Sequence, residues 1–239
     1  MAITTLSQAQ PLMIAHAGGG INGHNYSNSL EALEYNYNKG FRTFEIDFSW
    51  TSDDQLVCLH DWKKRFKKVF GYSIKQPLSY HEFQMALYNS NDLHPCTVET
   101  LSNWVIDNPD VNIVTDVKYL NIKAIKKIIG TYPKLQNQLI VQFYQPEEYP
   151  ILKKMGFKQL IWILYQYKGS LKSVANHVES MDLLALSMRA SQVKKKSMQG
   201  IQKKGVALFV YTINKEVKMN KLVNNYSVSG IYTDFLSPN

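Results

Sequence analysis

The chain has 239 residues, 45% hydrophobic and 19% charged, which is enough apolar material for a core and too little charge for a disordered chain. With 12 Gly and 8 Pro it shows no collagen-like or low-complexity excess, and no apolar run reaches the roughly 18 residues that a bilayer span requires. The 27 basic against 19 acidic residues give a net charge of +8, which favours anionic partners: phosphate esters, acidic lipid headgroups or nucleic acid.

The amino terminus, MAITTLSQAQPLMIAHAGGG, carries no Lys or Arg and no apolar stretch long enough for a signal-peptide core, so the expected compartment is the cytoplasm. From there, short apolar runs alternate with longer amphipathic stretches. A strand is expected over 12–16 and a helix over 28–39, then a strand over 43–48. The stretch 49–112 breaks this rhythm. It reads first as a strand extension over 56–60, then as a Lys-rich, aromatic-rich insertion over about 62–92, and closes with a helix over 98–107. Beyond it the pattern predicts strands over 113–118, 139–144, 159–165, 183–187, 207–211 and 230–234. Helices are expected between them over 121–131, 146–155, 170–179, 192–204 and 216–224. Eight strands alternating with helices through short connections imply parallel pairing, and the expected fold is a (β/α)8 TIM barrel. No Gly/Ser/Pro-rich linker divides the chain, so residues 1–239 read as one barrel domain with a rim insertion.

Lys63, Lys64, Arg65, Lys67 and Lys68 form one basic knot, and Lys194, Lys195, Lys196, Lys203 and Lys204 recur at spacings that suit an exposed helix face. No base-stacking platform or nucleic-acid motif is interleaved with them, so they read as solvated surface, and no nucleic-acid partner is expected. Cys58 and Cys96 lie in no metal-ligand spacing and read as buried or incidental thiols.

Active sites of such barrels sit at the carboxyl ends of the strands. Ionisable residues gather there: His16 ends the first strand, Glu45-Ile46-Asp47 lies in the second, Leu59-His60-Asp61 ends its extension, and Asp116-Val117-Lys118 closes the third. Side chains two apart on a strand share a face, so Glu45 projects with Asp47 and Asp116 with Lys118. Burying three carboxylates together costs several kcal/mol unless a cation neutralises them. Oxygen ligands without Cys favour Mg2+ or Ca2+, with Mn2+ less suited. The plainer alternative is an exposed strand end in which Glu45 and Asp47 pair with Arg42 or a nearby Lys. His16 and His60 suit general acid and base roles, or are structural histidines; Lys118 suits a phosphate contact or a counter-ion to Asp116. The Gly18-Gly19-Gly20 turn offers backbone N–H groups to an oxyanion.

Three segments taken together, His16-Ala-Gly-Gly, Asn28-Ser29-Leu30-Glu31-Ala32-Leu33-Glu34 and Glu45-Ile46-Asp47 with Leu59-His60-Asp61, resemble the amino-terminal signature of the glycerophosphodiester phosphodiesterase family. The resemblance continues through Pro95-Cys96-Thr97-Val98-Glu99-Thr100-Leu101, Asp116-Val117-Lys118, Val210-Tyr211-Thr212-Ile213-Asn214 and Gly230-Ile231-Tyr232-Thr233-Asp234. It implies a metal-dependent barrel hydrolase that cleaves glycerophosphodiesters to an alcohol and glycerol 3-phosphate. Glu45, Asp47 and Asp116 match metal-ligand positions, His16 and His60 the paired catalytic histidines, and Lys118 a lysine near the phosphate. His16 is assigned the base role and His60 the acid role, with water or a neighbouring glycerol hydroxyl as nucleophile.

The sequence departs from the family pattern in three places. Ala17 stands where the family carries an Arg, Ser27 where it carries a Glu, and Asp116 where a Glu is usual. Loss of the guanidinium removes a bidentate phosphate clamp. A different diester, such as a lysophospholipid, a phosphoinositide or a glycerol-phosphate polymer, is therefore an alternative substrate. So is a non-catalytic role in binding anionic lipid or polymer, with peripheral membrane contact. Phe66, Phe70, Tyr72, Tyr80 and Phe83 in the insertion offer an apolar surface to an acyl chain, or pack the insertion onto the rim.

Overall fold

The computed structural model describes residues 10–90 and 93–238, so the readings of the first nine residues and of the last residues of the insertion lie outside it. Its strands are β1 (Leu12–Ala15), β2 (Thr43–Trp50), β3 (Leu56–Cys58), β4 (Asn112–Asp116), β5 (Leu139–Phe143), β6 (Leu160–Ile163), β7 (Ala185–Arg189), β8 (Leu208–Tyr211) and β9 (Gly230–Thr233). All but β3 pair in parallel, in the order β1-β9-β8-β7-β6-β5-β4-β2, and the β1–β2 pairing closes the ring. The expected (β/α)8 barrel is the observed fold. Helices α1 (Leu30–Asn38), α4 (Val98–Asp107), α5 (Asn121–Thr131), α6 (Glu148–Lys154), α7 (Leu171–Val178), α8 (Ala190–Val193), α9 (Lys196–Gln202) and α10 (Glu216–Tyr226) fill the connections. Within the insertion lie α2 (Lys64–Phe70) and α3 (Tyr80–Tyr88). None of the helices in the described residues is long and apolar enough to cross a membrane.

Local sequence accounts for the helix starts. Ser29 accepts a hydrogen bond from the Ala32 N–H, Ser170 caps α7 in the same way, and Thr97 and Ser79 form reciprocal caps with Thr100 and Glu82. The expected single helix over 192–204 is instead two, broken at Lys194 and Lys195, where Lys195 is extended. At about 100° per residue, Val193 and Met198 would face directions about 140° apart on one straight helix. The break re-phases the chain so that Val193, Met198 and Ile201 are all buried. Lys194–Lys196 stay exposed, and Lys204 pairs with Glu179.

The strand period of two builds the barrel interior in layers. Ile14, Val114, Ile140, Ile161, Ala185, Phe209 and Tyr232 form one buried inner cluster. Gly230 belongs to the same layer, because a Cβ there would come within 2.4 Å of the Phe209 ring. Two residues further along several strands, the inward positions turn polar: His16, Asp116, Gln142, Ser187, Tyr211 and Asp234. Larger apolar side chains on the outer faces pack against the helices in a second cluster that includes Phe44, Ile46, Val141, Trp162 and Leu186.

The stretch expected as an extension of the second strand is a returning arm. β3 pairs antiparallel with β2, Phe48 opposite Cys58 and Trp50 opposite Leu56, and brings Leu59-His60-Asp61 back toward the barrel mouth. In the insertion, Phe66 and Phe83 are fully buried with Val57 and Leu59, and Trp62 and Phe70 pack against them. Ring centroids lie 4.6 Å apart for Phe66–Phe70 and 5.7 Å for Trp62–Phe66. Phe66 and Phe83, with Trp62, Phe70 and Tyr80 packed against them, therefore form the core of the insertion and present nothing to an acyl chain, while Tyr72 is exposed.

Candidate active site

The chain leaves β1 through a tight turn, His16–Gly18, in which Ala17 adopts φ 51° and ψ 43°. This costly left-handed geometry is held from two sides, since the Ala17 N–H donates to Glu45 Oε2 at 2.7 Å and the Asn28 N–H to the Ala17 carbonyl at 3.0 Å. Gly19 follows at φ 85°, where a Cβ would also strike the Asn36 amide at 2.4 Å. The Ala17 side chain is fully buried.

Glu45 and Asp47 on β2 and Asp116 at the end of β4 converge. They are 2%, 2% and 9% exposed, and one oxygen from each lies within 4.8 Å of the others. Arg42, the alternative partner for Glu45 and Asp47, is bound elsewhere, to Asp110 at 2.5 Å. Lys118 reaches back over the strand end to Asp47 at 2.6 Å and Asp116 at 3.1 Å. Burial works against the charged form of Lys118, but the Asp47 and Asp116 charges outweigh it and hold the ammonium firmly protonated. Burial likewise opposes ionisation of Asp47, and Lys118 overcomes it, drawing that carboxyl down to about 2. Glu45 goes the other way, pushed up by burial and then by the charge of Asp47.

With all three acids ionised, one lysine leaves a charge imbalance of two, and the upward push on Glu45, from burial and then from Asp47, is the mark of that charge when no cation neutralises it. The donor set is all oxygen, and this suits a hard divalent ion. These residues fit such an ion.

Further side chains orient the acids. Asn28 donates to Asp47 Oδ2 at 3.1 Å and accepts from the Asp47 N–H at 2.9 Å. Tyr144 donates to Asp116, and Tyr165 reaches the same oxygen at 3.4 Å.

His16 Nδ1 lies 2.9 Å from Asp234 Oδ1, and Asn214 and Asn25 donate to the other oxygen of Asp234 at 2.7 and 3.3 Å. His16 Nε2 is left facing Glu45 Oε2 at 3.9 Å. Burial by itself lowers the pKa of His16. The Asp234 hydrogen bond and the Glu45 charge prevail and raise it to about 9. His60 is arranged in parallel, its Nδ1 2.9 Å from Asp61, whose other oxygen accepts from the Lys63 and Arg65 N–H groups. The Tyr26 ring stands edge-on between the two imidazoles, with centroids 4.5 Å from His16 and 5.2 Å from His60. The Arg65 guanidinium covers that ring at 3.7 Å.

All six residues singled out in the sequence, His16, Glu45, Asp47, His60, Asp116 and Lys118, line one cavity of about 170 Å3. Sequence reasoning did not assign roles to Asp234, Asn214, Asp61, Asn28 or Tyr144. Asp234 follows directly on the last strand, but its partner His16 lies 218 positions away, and Asn214 acts through Asp234. Asn28 and Tyr144 carried no signal, because their partners are set by long-range packing. Cys58 and Cys96 are buried free thiols, as expected.

The fold and cavity define a (β/α)8-barrel protein whose mouth gathers three acids, a lysine and two carboxylate-tethered histidines. The family model described as "Glycerophosphoryl diester phosphodiesterase family" matches residues 16–237. The chain belongs to that family, a family of phosphoric diester hydrolases. No curated protein matches it. Among solved structures, the glycerophosphodiester phosphodiesterase of Thermotoga maritima superposes with a TM-score of 0.73 at 19% identity, covering 95% of this chain and 96% of that one. A glycerophosphodiester phosphodiesterase from Parabacteroides distasonis gives 0.70 at 17%, covering 93% and 92%. A phosphodiesterase from Oleispira antarctica in complex with the product sn-glycerol-3-phosphate gives 0.67 at 18%, covering 94% and 93%. At these identities the likeness is one of fold.

Proposed function

We propose that the chain cleaves glycerophosphodiesters to an alcohol and glycerol 3-phosphate, with residues 1–239 acting as one barrel unit and the divalent ion seated at Glu45, Asp47 and Asp116. The observation that carries this reading is the buried surplus of negative charge beside two tethered histidines in one cavity. Mg2+, Ca2+ or, less well matched, Mn2+ held there would supply charge neutralisation for a phosphate oxygen. Lys118 adds a second positive charge at the edge of the acids and holds Asp47 and Asp116 in place.

His16 and His60 divide the proton transfers. Asp234 and Asp61 fix each ring through Nδ1, which leaves both Nε2 atoms free for the substrate. His16, the deeper ring, faces the acids, and a cation bound there would offset the Glu45 charge that helps keep the ring protonated, freeing Nε2 for the base role toward the attacking hydroxyl. His60, nearer solvent with 29% of its side chain exposed against 13% for His16, protonates the departing alkoxide on the open side. The nucleophile is water or the neighbouring glycerol hydroxyl, and detection of a cyclic glycerol phosphate separates the two. The reading places the protein in the cytoplasm, without nucleic-acid partners.

The test is release of glycerol 3-phosphate from glycerophosphocholine, compared with lysophosphatidylcholine, by wild type, His16→Ala and His60→Ala. Turnover of glycerophosphocholine, falling at least about 100-fold in either variant, is expected. Undiminished turnover in both variants overturns the assignment of the histidines.

A further inference from the structure

One wall of the same cavity plays no part in the mechanism above. Numbered around the ring, β7 and β8 stand opposite β2 and β4, so the inward residues at their carboxyl ends face the acids across the barrel mouth. Those residues are Arg189 and Tyr211, register partners on adjacent strands, and both line the cavity. Arg189 has no ion pair among the described residues. The Tyr211 hydroxyl is buried without a hydrogen-bond partner, which leaves a donor aimed at nothing the protein provides. Burial raises the pKa of Tyr211 to about 12, so this hydroxyl keeps its proton. A free guanidinium beside an unsatisfied hydroxyl, facing a cation-binding acid cluster, is a receptor for an anion held between the two walls.

We propose that Arg189 and Tyr211 bind the phosphate of the diester from the side opposite the acids, donating to the oxygens that a cation held by Glu45, Asp47 and Asp116 would leave free. This deepens the proposed function and rests on it. It also accounts for the buried Ala17: the guanidinium absent beside His16 is supplied from the far wall. Arg65 is the other arginine near the histidines, but its guanidinium is committed to the Tyr26 ring.

The experiment is calorimetric titration of wild type, Arg189→Ala, Arg189→Lys and Tyr211→Phe with sn-glycerol 3-phosphate in Mg2+, alongside steady-state kinetics on glycerophosphocholine. Arg189 is exposed and Tyr211→Phe removes only the hydroxyl, so all variants fold, which a thermal melt checks. Affinity for glycerol 3-phosphate should fall about 10- to 100-fold in Arg189→Ala, with part recovered in Arg189→Lys, and about 3- to 10-fold in Tyr211→Phe. The KM for the diester should rise in parallel. Wild-type affinity in Arg189→Ala overturns the inference. So does a loss confined to diesters with an anionic alcohol, because Arg189 would then read the leaving group. A wild-type protein that binds glycerol 3-phosphate through Arg189 yet cleaves no glycerophosphodiester sinks the functional reading and leaves this one standing.

Discussion

Asp234→Asn probes the link between the last strand and His16. The aspartate accepts from His16 Nδ1 at 2.9 Å, and this contact, helped by Glu45, raises the imidazole from its ordinary 6.5 to about 9 despite burial. A hydrogen bond to a charged group contributes about 1.5–3 kcal/mol, equivalent to about 1–2 pH units, so the variant should titrate at roughly 7–8. The sign of the stability effect follows from the direction of the shift. A histidine whose folded pKa lies above its unfolded value stabilises the fold fully below 6.5 and loses that contribution as pH rises through about 9. For wild type in EDTA the loss attributable to His16 is about 3 kcal/mol, and in Asp234→Asn it should shrink to roughly half. NMR titration of the imidazole protons and urea unfolding between about pH 6 and pH 10 measure both quantities. Because the amide no longer selects one imidazole tautomer, kcat should also fall at least about 100-fold. A His16 pKa that stays near 9 in the variant would refute the role given to Asp234.

Other perturbations follow from the same contacts. Lys118→Met leaves Asp47 and Asp116 buried without their cation, and should cost about 3–5 kcal/mol in EDTA, with part regained in saturating Mg2+. Thermal melts with and without Mg2+ check this, and a wild-type melt in EDTA contradicts it. Tyr144→Phe frees the oxygen of Asp116 that the phenol holds and should weaken Mg2+ binding about 10-fold, read by calorimetry. Phe66→Ala empties the centre of the insertion core and should destabilise it by about 3–5 kcal/mol. Hydrogen exchange should then rise across α2 and α3 while the barrel strands stay protected, and uniform protection throughout speaks against a separate insertion core.

The barrel was legible because its strands are short apolar runs at regular spacing. Helix α4 starts where the sequence offers the Thr97 cap, and α5, which has no side-chain cap, ends just before Pro133. The acid cluster was legible for a local reason as well: Glu45 and Asp47 are two apart on one strand, and this spacing alone puts both on one face. Residues whose role depends on a partner far along the chain were not. Asp234 meets His16 across 218 positions, and Tyr144 meets Asp116 across 28. Arg189 and Tyr211 face the acids only because the ring closes, which no local pattern encodes. The helix break at Lys194–Lys195 was hidden because an exposed Lys stripe reads the same on one helix or two, and only the need to bury Val193 together with Met198 distinguishes them. The aromatic residues of the insertion allowed either a core or a surface until the burial of Phe66 and Phe83 decided between them.

The central claim is that the buried acids exist to hold a doubly charged cation. Calorimetric titration of the metal-free chain with Mg2+ and with Ca2+ measures it directly, beside Glu45→Gln, which keeps the shape of the side chain and removes its charge. The account predicts saturation at one ion per chain in wild type and a binding constant at least about 10-fold weaker in the variant. No uptake of either ion by the wild-type chain, or identical isotherms for the two proteins, would contradict it.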